Sequence, residues 1–165
     1  MVRYSNLNDV DSILELFQQA KDYLKNQKID QWQNGYPNRN VILEDIKDND
    51  SYVLEEKRVI GTMCFHLGMD EDYNYIEGSW KSDQPYGVIH RLVIDEDFKG
   101  QRKADELLKF AINKAKSKGI LSLRVDTHPM NLSMQRFLER NGFEKCGIIY
   151  IHHTDLRFAY EKILN

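Results

Sequence analysis

Only two of the 165 residues are cysteine and only three are proline. Cys64 and Cys146 stand singly inside apolar, strand-like runs, so neither a disulfide framework nor a cysteine-ligated metal site is expected, and both read as reduced thiols. No apolar run approaches the roughly 20 residues that cross a bilayer, and the start "MVRYSNLNDVDS" lacks the basic and apolar regions of a secretory leader. A cytoplasmic protein without membrane partners is expected. Twenty-three Lys and Arg against 26 Asp and Glu leave a formal charge of −3, which provides no basic field for a phosphate backbone and argues against nucleic acid as the main partner. Two catalytic signatures are also missing: there is no GxxxxGK[ST] phosphate loop and no GxSxG nucleophile elbow.

What is present is the patterning of one ordinary domain, residues 1–165, with no repeat and no linker. Apolar residues at helical spacing predict a first helix from about Asp9 to Lys25, capped by Asn8 and burying Val10, Ile13, Leu14, Phe17, Ala20 and Leu24. A turn-rich loop containing Trp32 and Tyr36 follows. Asn40 is the expected cap of a short helix over 41–47. Two strands follow, "SYVLEE" and "RVIGTMCFHLG", then an acidic and aromatic segment from Met69 to Gln84. "YGVIHRLVI", Tyr86 to Ile94, suits a central strand covered on both faces. A helix with Ala104, Leu107, Leu108, Ala111 and Ala115 on one face runs to Gly119, then the strand "ILSLRVDTH", a helix from Asn131 to Gly142, and two last strands joined at "HHTD". The β–α–β unit from Tyr86 to Val125 requires parallel neighbours, while the hairpins around it make the sheet mixed.

The turn of that unit, "DEDFKGQRKADE", combines Lys99, Gly100, Arg102 and Lys103 at the start of a helix. Unpaired N–H groups and the positive dipole end make a helix start a site for phosphate. Arg102 and Lys103 oppose that dipole unless an anion compensates them; Asp105 and Glu106 in the same turn offer the alternative compensation.

"HRLVIDEDFKGQRKADELLKFA" resembles motif A of the GNAT acyltransferase superfamily, in which a strand passes through a basic, glycine-containing loop into the helix that binds the pyrophosphate of acetyl-CoA. The family pattern is Gln or Arg, two residues, Gly, one residue, then Gly or Ala. Ala104 fits; Lys99 and Arg102 depart from it, Arg102 standing where the family has glycine. "NLSMQRFLERNGFEKCGI" is similar to motif B: Asn131 matches a position that contacts pantetheine, and Gly142-Phe143 the pair that ends the helix. The stretches "DQWQNGYP" and "DTHPMN" are similar to bacterial members whose acceptors are mostly unassigned.

The resemblance implies an α/β, GNAT-like mixed sheet, mostly antiparallel and twisted, with a central parallel crossover and helices on both faces. It implies a transferase that moves an acetyl group from acetyl-CoA directly to the primary amine of a small molecule in a ternary complex, and leaves room for a homodimer. The alternatives are an acceptor amine on a protein or aminoacyl-tRNA, or an acyl-CoA sensor without turnover. By the same resemblance the pyrophosphate meets Lys99, Gly100, Gln101, Arg102, Lys103, Ala104 and Asp105, mainly through backbone N–H groups. The backbone of Leu92, Val93 and Ile94 pairs with the pantetheine arm like an added strand. An alkylammonium is only about 0.1% neutral at pH 7, so a base must take its proton. His90, at a strand position where some members hold a base, is the first candidate, with Asp126 and His128 behind it. Leu138 occupies the place of the tyrosine that protonates the departing thiolate in many members, and Tyr150 is the expected substitute. Trp32, Tyr36, Trp80 and His128 are expected to line the acceptor side, joined by Tyr75; His152 and His153 complete no metal site, and no metal is expected.

Overall fold

The computed structural model describes all residues, 1–165. In chain order the elements are strand β1 (Val2–Tyr4), helix α1 (Val10–Asn26), helix α2 (Arg39–Lys47), β2 (Ser51–Glu55), β3 (Val59–Leu67), β4 (Glu77–Gly78), β5 (Gly87–Ile94), α3 (Lys103–Ser117), β6 (Ser122–Thr127), α4 (Leu132–Arg140), β7 (Glu144–Ile151) and β8 (Asp155–Ile163). Eight strands form one sheet in the order β1-β2-β3-β5-β6-β8-β7-β4. The sheet is mixed and mostly antiparallel; its parallel pair is β5 with β6, in register at Gly87 with Leu123 and Val88 with Arg124. The crossover from β5 through α3 to β6 is thus the one expected from Tyr86 to Val125.

Two strands and two caps differ from the sequence reading. β1 and β4 have three and two residues, too few to display a period of two. β1 is held by Arg3, whose guanidinium bonds Glu55 at 2.9 Å and Asp9 at 2.8 Å. β4 depends on a close approach of two glycines, Gly78 opposite Gly147. Both have positive φ, +127° and +155°, and a Cβ on Gly147 would overlap the carbonyl of Glu77. Asn8 does not cap α1: Asn6 caps a 3-10 turn at Leu7–Asp9 that leads into the helix, its side chain accepting from the N–H of Asn8 while Asp9 accepts from the N–H of Asn6, and Asp9 at the N-cap of α1 makes no side-chain cap bond. α2 begins two residues early because Asn38, rather than Asn40, accepts from the N–H of Val41.

The chain forms two compact units, Met1–Phe65 with His90–Ala111, and His66–Ile89 with Ile112–Asn165. In the first, Val10, Ile13, Phe17, Ile42, Val53 and Val93 share a buried cluster. Each such side chain contributes about 1.5–3 kcal/mol by leaving water. In the second, Tyr73, Val88, Ile149 and Ala159 pack together. Beside them lies Glu161, 0% exposed. It accepts from Ser122 Oγ at 2.6 Å, Arg124 Nε at 3.2 Å, Ser82 Oγ at 3.2 Å and the N–H of Lys81 at 2.5 Å. Arg124 is sandwiched between the rings of Trp80 and Tyr86, 4.1 and 4.0 Å from their centroids. A buried charge is tolerable only when paired and fully hydrogen-bonded, and this network meets both conditions while anchoring the acidic segment to β6 and β8.

Candidate active site

The loop between β5 and α3 is fixed by Asp95, 4% exposed. Its carboxylate accepts from Arg58 Nη1 at 2.7 Å and from the N–H of Asp97 at 2.9 Å. The Arg58 bond is the main reason its pKa lies below the ordinary aspartate value. After a 3-10 turn at Glu96–Phe98, Gly100 and Arg102 both take left-handed backbone, φ +78° and +57°. Nothing lies within 4 Å of a Cβ placed on Gly100, so its glycine serves the dihedral angle and leaves that side open. Arg102 adopts the conformation that explains why glycine stands there in the motif. Its side chain is 74% exposed and meets Asp105 at 3.7 Å.

The other two basic side chains have partners of their own. Lys103 pairs with Glu56 and, at 3.2 Å, with Glu106, and the Lys99 ammonium lies 4.1 Å above the Tyr23 ring. The donors left over are on the backbone. Asp105 N bonds the carbonyl of Arg102 at 3.1 Å, but no backbone carbonyl receives the N–H of Arg102, Lys103 or Ala104. Three adjacent N–H groups at the start of a 15-residue helix can hold an anion.

The second half of β5 brings His90, half-buried, next to Arg91, whose φ of +51° interrupts an otherwise extended strand. This backbone costs a residue with a Cβ about 1–3 kcal/mol and persists where surroundings over-determine it. The surroundings are Asp45, 2.5 Å from Arg91 Nη2, and Tyr36, whose hydroxyl oxygen accepts from Nη1 at 2.6 Å. The Arg91 Nε is buried without a hydrogen-bond partner. Cys64 belongs to the same cluster, where burial pushes its thiol up to about 12. Tyr36 is 36% exposed; burial of its hydroxyl end raises its pKa, and Arg91 pulls the other way. Trp32, from the same loop, packs edge-on against Phe17 with centroids 5.8 Å apart.

In the second unit the buried Tyr73 donates its hydroxyl to Asp126 Oδ2 at 2.7 Å. Trp80 donates to the carbonyl of Tyr73 at 3.0 Å as well as covering Arg124. His128 accepts through Nδ1 from the N–H of Met130 at 3.1 Å. The Asn131 side-chain oxygen caps α4 by accepting from Met134 at 3.2 Å. Tyr150 donates to Glu77 at 3.1 Å, a bond that raises its pKa. Leu138 is 1% exposed and part of the core.

The structure therefore gathers Lys99 to Asp105 in one loop and joins Tyr36 to the strand bearing His90. Arg91, Asp45 and Tyr73 carry no motif; for Arg91 the available signal is a charge inside the apolar run "YGVIHRLVI". No group of three or more His, Cys, Asp or Glu side chains is placed to hold a metal ion. No helix is long and apolar enough to cross a membrane.

Residues 11–143 match the family model described as "Acetyltransferase (GNAT) family". A GNAT-family acetyltransferase from Streptococcus agalactiae 2603 is 32% identical, with a TM-score of 0.92 over 100% of this chain and 95% of that one. A putative acetyltransferase from Staphylococcus aureus Mu50 is 28% identical, with a TM-score of 0.76 over 100% and 99%. A ribosomal-protein-alanine N-acetyltransferase from Brucella melitensis, 15% identical over 99% of both chains with a TM-score of 0.70, shares the fold. No curated protein matches the sequence. The chain belongs to the GNAT family of N-acetyltransferases.

Proposed function

We propose that residues 1–165 act as one catalytic domain that transfers the acetyl group of acetyl-CoA to the primary amine of a small molecule, by direct attack within a ternary complex. The observation that carries this reading is the row of N–H groups at Arg102, Lys103 and Ala104, which meet no backbone carbonyl and follow a left-handed Gly100 with open space beside it. That donor set fits a pyrophosphate, with Lys99, Gln101 and Asp105 completing the loop and the Lys99 and Arg102 charges supplying longer-range attraction. The backbone of Leu92, Val93 and Ile94 pairs with the pantetheine amides. When bound, acetyl-CoA supplies the activated thioester carbonyl.

His90 is the base in this reading. Its half-buried place on β5, two residues before Leu92, suits it to take a proton from the attacking amine. Asp126, oriented by Tyr73, is the second candidate. The acceptor side draws on Tyr36 and Trp32. Holding two reactants in place supplies about 7–11 kcal/mol of the barrier, so positioning carries most of the rate.

Calorimetry with acetyl-CoA tests the binding half, and release of free thiol with a panel of a diamine, free amino acids and alanine-terminated peptides tests the transfer. Expected are binding that Gly100→Glu abolishes, and thiol release with small amines that His90→Ala abolishes while binding persists. Release with peptides alone would move the acceptor to proteins; binding without any release would make the chain a sensor. The absence of binding would end the reading.

A further inference from the structure

Thiolate departure needs a proton donor, and α4 offers the core residue Leu138 in the place where many family members hold a tyrosine. Two other tyrosines present opposite electrostatics. Tyr150 donates to the Glu77 carboxylate, so giving its proton elsewhere would leave a phenolate 3.1 Å from an anion, which raises the energy of the product of proton transfer. Tyr36 accepts from the Arg91 guanidinium at 2.6 Å. Its own proton is therefore directed away from Arg91, and no group of the chain accepts it. The phenolate left after donation would sit against a cation that Asp45 fixes in place.

Chain order places this hydroxyl at the correct end of the reaction. With the pyrophosphate at Lys99 to Asp105 beyond the end of β5, the pantetheine arm runs back along Ile94, Val93 and Leu92, and its sulfur lies past Leu92, beside Arg91 and His90. Tyr36 is hydrogen-bonded to Arg91. Resting on the proposed acetyl transfer, we infer that Tyr36 is the general acid that protonates the departing CoA sulfur, with Arg91 the positioning residue that stabilises the resulting phenolate.

In this step the amine nitrogen bonds to the thioester carbon as the carbon–sulfur bond breaks, its electron pair passing to sulfur. The Tyr36 proton goes to that sulfur, giving a free thiol. The proton lost by the nitrogen goes to His90, and solvent returns one to the phenolate as His90 releases its own. Charged and titratable neighbours of the hydroxyl are Arg91 from β5, Asp45 from α2 and Cys64 from β3. Burial and Asp45 keep the phenol protonated at neutral pH, as an acid requires, while Arg91 eases the loss of its proton.

Tyr36→Phe removes one oxygen from a residue 36% exposed and is expected to fold. The expected result is unchanged calorimetric binding of acetyl-CoA and a fall in kcat of about 10²-fold at saturating amine, the lower end for general acid catalysis. A fall confined to the KM of the amine would overturn the inference, as would a kcat within about threefold of the parent. Failure of acetyl-CoA to bind the parent chain would instead remove the proposed function and the inference together. A readout independent of turnover is the NMR titration of ¹³Cζ-labelled tyrosine, in which the resonance lost in Tyr36→Phe identifies Tyr36. In Arg91→Gln that resonance is expected to titrate at higher pH than in the parent; an unchanged midpoint would mean that Arg91 does not stabilise the phenolate and overturns the pairing.

Discussion

Tyr73 and Asp126 meet at 2.7 Å, the phenol donating from a position 2% exposed to a carboxylate at the end of β6. A hydrogen bond to a charged partner contributes about 1.5–3 kcal/mol, so Tyr73→Phe is expected to lower stability by that order in urea titrations. The loss should not add to that of Asp126→Asn: the double variant should recover about 0.5 kcal/mol or more as coupling energy. Fully additive losses would show that the two groups do not interact.

Arg102 allows a direct test of backbone against side chain in the anion loop. A residue with a Cβ loses about 1–2 kcal/mol in left-handed backbone, and glycine's freer unfolded chain offsets about 0.5–1 kcal/mol of any relief. Arg102→Gly should therefore stabilise the protein by up to roughly 1.5 kcal/mol, at about 2–4 °C in Tm for each kcal/mol. Because the exposed guanidinium contributes little, calorimetric affinity for acetyl-CoA should change by less than about threefold, or 0.7 kcal/mol.

Asp95 should give a recognisable acid limb. Its folded pKa is depressed, chiefly by the hydrogen bond from Arg58. Its contribution to stability is thus complete above the unfolded value of about 3.9 and disappears as pH falls through the lower folded value. Urea titrations between about pH 2 and 7 should show parent stability falling below about pH 4, with Asp95→Asn less stable at neutral pH but flatter across that interval.

Gly147→Ala places a methyl group against the carbonyl of Glu77 at a backbone angle that L residues rarely adopt. The expected cost is about 1–3 kcal/mol, together with faster limited proteolysis between Met69 and Gln84, where β4 would lose its partner strand.

Long elements were readable because their signals repeat. Four apolar turns of α1 and the unbroken run of β5 outvote local noise, and the crossover between β5 and β6 follows from a helix separating two strands. β1 and β4 had no such redundancy. The capping asparagines, Asn6 and Asn38, each lie two residues before the one the sequence suggests, because "NLND" and "NRN" offer more than one asparagine and the choice depends on which backbone N–H the fold brings near. The anion loop was visible as charge, yet Lys103 meets Glu56 from a distant segment of chain, a pairing that spacing does not encode. Tyr36 is legible as a loop aromatic and, through the family resemblance, as a residue of the acceptor side; its hydrogen bond to Arg91, which spans 55 positions, is not. Asp45, which holds Arg91, sits in a short helix whose sequence announces nothing but a helix.

The left-handed turn at Arg102 has a wider consequence for how such loops are recognised. What position 102 must satisfy is a pair of torsion angles, not a letter. An alphabet-based search scores arginine there as a mismatch, whereas a search in dihedral space would score it as an agreement.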